Sequence, residues 1–237
     1  MNNNWRGWTL SLIAMLGLIS VGAARAEPDS KMAPVSAYLM ASRTAEIALA
    51  RSAAPPSVSG AAEVMVLGPK GYVTAAKGAN GFVCLVSRGW FSGVTEPDFW
   101  DPKLLGPICF NRQAARSVLP TFLSRTTWAL SGASRAEISK RTRADMAAGK
   151  IPTPAVGAMT YMMSKGGYLG GGAKGPWHPH IMFYMPPMPS ADWGANLAGT
   201  RIYSTPAGID PYTMFYVTVA VWSDGTPDAN AGAKHSM

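Results

Sequence analysis

Two cysteines, three histidines and 14% charged residues leave this 237-residue chain short of the side chains that most often carry chemistry. Cys84 and Cys109 lie in neither a C-x-x-C pair nor a zinc-ligand spacing, which argues against thiol redox catalysis and a cysteine zinc site. The chain holds no P-loop, H-E-x-x-H, G-x-S-x-G or S-x-x-K motif, so the phosphate-cradling loop and the familiar hydrolase nucleophiles are not written in it. Gly170-x-Gly172-x-x-Gly175 matches a dinucleotide fingerprint in form only. Pro176-Trp177-His178-Pro179 follows it, where a helix N-terminus would have to hold the pyrophosphate. Low charge together with 48% hydrophobic residues argues against disorder and for a packed, aromatic-rich globule.

Long apolar runs are also scarce, with one exception at the start. Arg6 precedes the uncharged run Trp8 to Ala23, and Ala24-Arg25-Ala26 supplies a small-x-small cleavage pattern before Glu27. Residues 1–26 therefore read as a secretory signal peptide, 27–223 as one domain and 224–237 as a polar, frayed C-terminal tail carrying His235. With no second long apolar segment, the mature chain is expected to lack a transmembrane span and to be periplasmic or extracellular. In an oxidising compartment Cys84 and Cys109 read as a structural disulfide, closing a loop of about 26 residues and contributing roughly 3 kcal/mol.

Acidic residues are few. The formal charge of +8 falls to +6 once Arg6 and Arg25 leave with the leader, and Arg112 to Lys150 holds eight basic residues against Glu137 and Asp145. The short cluster Lys140, Arg141 and Arg143 reads as a solvated helix face, or as a contact for an anionic envelope component such as lipid headgroups or an acidic polymer. Export disfavours nucleic acid as the partner.

What is present in quantity is hydrophobic patterning. Ala37 to Ala53 reads as a helix ended by Pro55-Pro56, and Asn111 caps a second helix that runs from Arg112 to about 130 with an irregularity at Pro120. Ser134-Arg135-Ala136-Glu137 is a capping box for a third, ending at Gly149. Strands are expected at Glu63 to Leu67, Tyr72 to Ala76 and Phe82 to Ser87. The last is apolar on both faces and hence central. Further strands are expected at Ala158 to Met163, from Trp177 onward, at Arg201 to Ser204 and at Met214 to Trp222. Three carboxylates in Glu96 to Asp101 read as a packed turn, because Pro97 and two aromatics interrupt them. The fold class is α+β, a mainly antiparallel sheet of five to seven strands with about three helices on one face.

The candidate site is the stretch Ala158 to Met188, where a glycine-rich loop joins two apolar runs and the second opens with His178 and His180. A strand from Trp177 would turn both imidazoles to one face with Met182 and Tyr184. They are the catalytic candidates of a hydrolase-type enzyme, given a carboxylate such as Asp192 or Asp210 in reach. With Met182 and a methionine of the preceding strand, they are also the ligands of a soft copper site. Gly170, Gly172, Trp177 and Tyr184 are the binding candidates if the chain is instead a non-catalytic ligand-binding or envelope-associated module. Cofactors stay open, as does whether the chain is an enzyme.

Two segments, Gly78-Ala79-Asn80-Gly81-Phe82-Val83-Cys84-Leu85-Val86 and Gly175-Pro176-Trp177-His178-Pro179-His180-Ile181-Met182-Phe183-Tyr184, resemble those of an uncharacterised family of exported bacterial proteins. The similarity covers most of the mature chain. It implies export and a single domain, and it carries over no activity, ligand or catalytic role.

Overall fold

The computed structural model describes residues 31–168, 178–205, 210 and 212–229. Residues 1–26, read above as a leader, and Gly170, Gly172, Gly175, Trp177 and His235 lie outside the described residues. Among those described, eight strands form one sheet in the order β2-β1-β3-β4-β5-β6-β8-β7. They are β1 (Glu63–Gly68), β2 (Gly71–Ala76), β3 (Val83–Ser87), β4 (Gly106–Phe110), β5 (Met159–Met162), β6 (His180–Met185), β7 (Ile202–Thr205) and β8 (Thr213–Thr218). Only β1 and β3 pair parallel; the other six pairings are antiparallel. The α+β class and the mainly antiparallel sheet expected from the sequence are present. The sheet has one strand more than the upper bound, and β3 is internal, with four of its five residues buried.

The additional strand is β4, whose Gly106-Pro107 start does not read as a strand. Proline is tolerated because the chain beyond it is only partly laddered. Pro107 lies opposite Val86, whereas β5 reaches only Cys109 and Phe110. Cys84 and Cys109 face each other across β3 and β4 with Cα atoms 4.0 Å apart, marking the narrow, non-hydrogen-bonded kind of pair. Pairs alternate, so Pro107, two residues away, is of the same kind, and its nitrogen points away from β3. A disulfide joins the two cysteines, as expected.

The helices do not share one face. α1 (Arg43–Arg51) and the single turn α2 (Pro56–Ser59) bring Ala50, Ala53, Ala54 and Ala62 against Val64, Cys84, Val86 and Cys109. Leu85, Ile108 and Phe110 alternate with those residues and so face the opposite side. There α3 (Arg112–Ser117) and α4 (Leu119–Leu130) cover them through Ala114, Val118, Leu119 and Phe122. Alanine at the α1 contact lets that helix sit close to the disulfide, with Cys109 Sγ 3.8 Å from Ala50 O. On the β6 and β8 half the α1 side is closed by Trp193, whose ring stacks on Phe215 at 4.4 Å.

Boundaries follow the caps. The expected helix from Ala37 is interrupted, because Val35–Tyr38 forms a 3-10 turn and the Ser42 hydroxyl accepts from Ala45 N to start α1 only at Arg43. The second helix divides at Val118, with Pro120 in the first turn of α4. α5 (Arg135–Ala147) carries the full capping box of Ser134 and Glu137. Phe99 and Trp100 of the acidic loop are buried beside Trp90, Ala129 and Ile138, giving the packed turn. No helix among the described residues is long and apolar enough to cross a membrane.

Candidate functional site

The chain beyond β8 positions the first of the two candidate histidines. The strand expected to run to Trp222 ends at Thr218, and the chain then folds back on itself: Trp222 N donates to Thr226 O and Asp228 N donates to Ala220 O, both at 2.9 Å. Gly225 takes a φ of 82° at the bend, a value that glycine adopts without strain. Thr226 donates to Asp224 through both its N and Oγ1, and Lys165 bridges the same carboxylate at 2.9 Å. These contacts, those of Thr226 first, hold the exposed Asp224 carboxyl down to about 2. Residues 224–229 thus fold back by hydrogen bonds, with Asp228 the buried one among them. Their consequence is that Asp228, 6% exposed, places Oδ2 2.6 Å from His178 Nδ1.

His178 precedes β6 and does not belong to it, so strand periodicity relates His180, Met182 and Tyr184 only. His180 lies 3.0 Å from the His178 carbonyl through Nδ1. A carbonyl only accepts, so that nitrogen carries the hydrogen. The His180 ring stands edge-on to Tyr216 at 5.5 Å. The carboxylates expected near the histidines go elsewhere: Asp192 is exposed in the 3-10 turn Ser190–Trp193, and Asp210 pairs with Arg125. The β5 and β6 strands do pair, with Met162 opposite His180 and Thr160 opposite Met182. Met162 and Met182 are 7% and 4% exposed and belong to the apolar cluster beneath α4. No group of three or more His, Cys, Asp or Glu assembles among the described residues.

Tyr184, a binding candidate, is 2% exposed, and its hydroxyl lies 3.3 Å from Thr160 Oγ1. It belongs to a buried polar cluster that sequence reading missed. Tyr184 meets Tyr212 edge-to-face at 5.3 Å, and Arg125 of α4 donates from Nη2 to Asp210 Oδ1 at 2.5 Å. Burial pushes the Asp210 carboxyl above its ordinary value, against the opposing pull of Arg125. Desolvation likewise raises Tyr184 and Tyr212, and it pushes Tyr216 up to about 12, so the phenols stay neutral. A signal for Arg125 does exist in the sequence: it continues the spacing Phe122, Arg125, Ala129 on the apolar stripe of α4, where a cation has no solvent to reach.

Two arginines are completely buried and differ in how their nitrogens are used. Arg88 donates from Nε to Tyr38 O, from Nη1 to Val86 O and from Nη2 to Glu46 Oε1. Its partner Glu46 also accepts from Leu67 N, which ties α1 to β1. Among the described residues Arg125 bonds through Nη2 alone; its Nε and Nη1 find no partner there, nor does Thr121 Oγ1 one turn earlier on the same helix face. Lys140, Arg141 and Arg143, the other charged candidates, are exposed on α5, and Arg143 Nη1 donates to Ser139 Oγ at 2.7 Å. Compared with protein-family models, with curated proteins and with solved structures, the chain finds no match in any of the three.

Proposed function

We propose that this chain is an exported, non-catalytic ligand-binding module of the cell envelope, whose ligand is received on the α4 side of β6 and β8. One observation carries the reading: Arg125, fully buried, leaves Nε and Nη1 unbonded among the described residues, on the side of the sheet where Tyr212 feels its charge. An unmet buried donor costs about 1–3 kcal/mol, and more when it is charged, so a fold keeps such a group where something else pairs with it. Arg88, saturated by its own chain, is what a purely structural buried arginine looks like. The disulfide and the resemblance to exported proteins support the location. The exposed Lys140, Arg141 and Arg143 offer a salt-sensitive contact to an anionic envelope component. Thermal unfolding against a library of neutral and charged small molecules tests the binding reading. A ligand that binds the folded state raises Tm, through a stabilisation that grows as the logarithm of its concentration over Kd, and a library that moves the wild-type Tm nowhere contradicts the proposal.

A second reading has its own observation. A buried carboxylate bonded to Nδ1 of an imidazole is how hydrolases orient a general base, and Asp228 and His178 supply that pair. Turnover of a panel of activated esters, abolished by His178→Asn in a variant that keeps its fold, would replace the binding module with a hydrolase-type enzyme. Equal background rates in both proteins would leave the pair as an anchor for the C-terminal turn.

A further inference from the structure

The polar groups at the foot of α4 specify what kind of ligand they would take. The unbonded atoms of Arg125 are cationic N–H donors, and Thr121 adds a hydroxyl four residues earlier on the same face, also without exposure. Guanidinium donors pair most strongly with carboxylate or phosphate oxygens. Asp210 occupies one of them and, with its side chain 23% exposed against 0% for Arg125, marks the solvent side of the cluster. Phe122, Met182, Tyr184 and Tyr212, all apolar or neutral, lie in one packed cluster on this side of the sheet. A dianion would set two charges against Asp210 with a single guanidinium between them. Arg125 and Asp210 already cancel, so a bound anion adds its whole charge; a monoanion on an apolar body adds the least and matches the apolar lining.

We infer that Arg125 and Thr121 receive the carboxylate of a small organic acid, with Asp210 as the internal carboxylate that shares the guanidinium; this rests on the ligand-binding reading above. The ligand takes the donors that Asp210, itself partly exposed, leaves unused. Asp210 both orders the guanidinium and repels the incoming charge, so the two residues have opposite mutational signs. Removing the cation abolishes binding, and neutralising Asp210 strengthens it.

The test is calorimetric titration of the disulfide-bonded chain with benzoate, acetate, inorganic phosphate and the uncharged benzamide. Benzoate should bind tightest, and Asp210→Asn should tighten it by about threefold or more. The Arg125→Met, Asp210→Asn double variant removes both charges of the pair together. It should weaken benzoate by at least about tenfold while keeping the wild-type circular dichroism. Unchanged benzoate affinity in the double variant overturns the Arg125 assignment. Benzamide binding as well as benzoate, or phosphate binding better, overturns the carboxylate class while the ligand-binding reading stands. Absence of heat with all four probes overturns this inference, and the library screen then decides the broader reading separately.

Discussion

Arg88 and Arg125 are equally buried, yet they should respond differently to the same truncation. Arg88→Met leaves Glu46 inside the protein, its side chain 3% exposed, without its cation. Breaking a buried pair from one side costs about 3–5 kcal/mol, and urea unfolding should show a loss of that size. Arg125→Met releases a guanidinium whose Nε and Nη1 are already unbonded and leaves Asp210 with access to water. Its cost should be smaller than that of Arg88→Met by about 2 kcal/mol or more. Equal losses would mean that Arg125 is as structural as Arg88. Neither partner was legible in the sequence. Glu46 lies 42 positions from Arg88 and Asp210 lies 85 from Arg125, and nothing local fixes a pairing over such distances. Asp228 was missed for a related reason: a polar terminal stretch reads as solvated until a bend such as that at Gly225 returns it to the sheet.

Elements were easier to read where local chemistry decides them. The capping box of α5, the Asn111 cap of α3 and the turn at Pro97 follow from residues within a few positions of each other. β4 shows the limit, because its strand character depends on which neighbours its proline meets. The two-sided helix cover shows it again, since alanine and leucine stripes do not say which face of a sheet they will take. The β3 and β4 pair also gives a prediction at this scale. Cys84 and Cys109 are both completely buried and 25 positions apart, so the bond acts mainly by restricting the unfolded chain. Replacing both by alanine should lower stability by roughly 3 kcal/mol in chemical unfolding. A double variant as stable as the wild type would show that the packing of α1 on β3 suffices alone.

Across the whole molecule, Tyr72, Tyr184, Tyr212 and Tyr216 all have their pKa raised, chiefly by burial. The native state therefore holds protons that the unfolded chain, with phenols near 10, gives up first. Stability should be unaffected by these groups below about pH 10 and should fall as pH rises above it. Each retained proton contributes a slope of about 1.4 kcal/mol per pH unit. Urea unfolding across this range, followed by the ring NMR signals of these four tyrosines, should show their ionisation and unfolding together. Phenolate at any of the four in the folded protein near pH 10 would mean that its site is open to solvent.

The central claim, that Arg125 is kept for a ligand, is tested most directly by NMR of the arginine Nε–H groups, for which Arg88 is an internal standard in the same molecule. Titration with benzoate, or with whichever small molecule raises the Tm most, should shift the Arg125 Nε signal and slow its exchange with water, while the Arg88 signal stays in place. An Arg125 signal that no binding ligand moves would contradict the account.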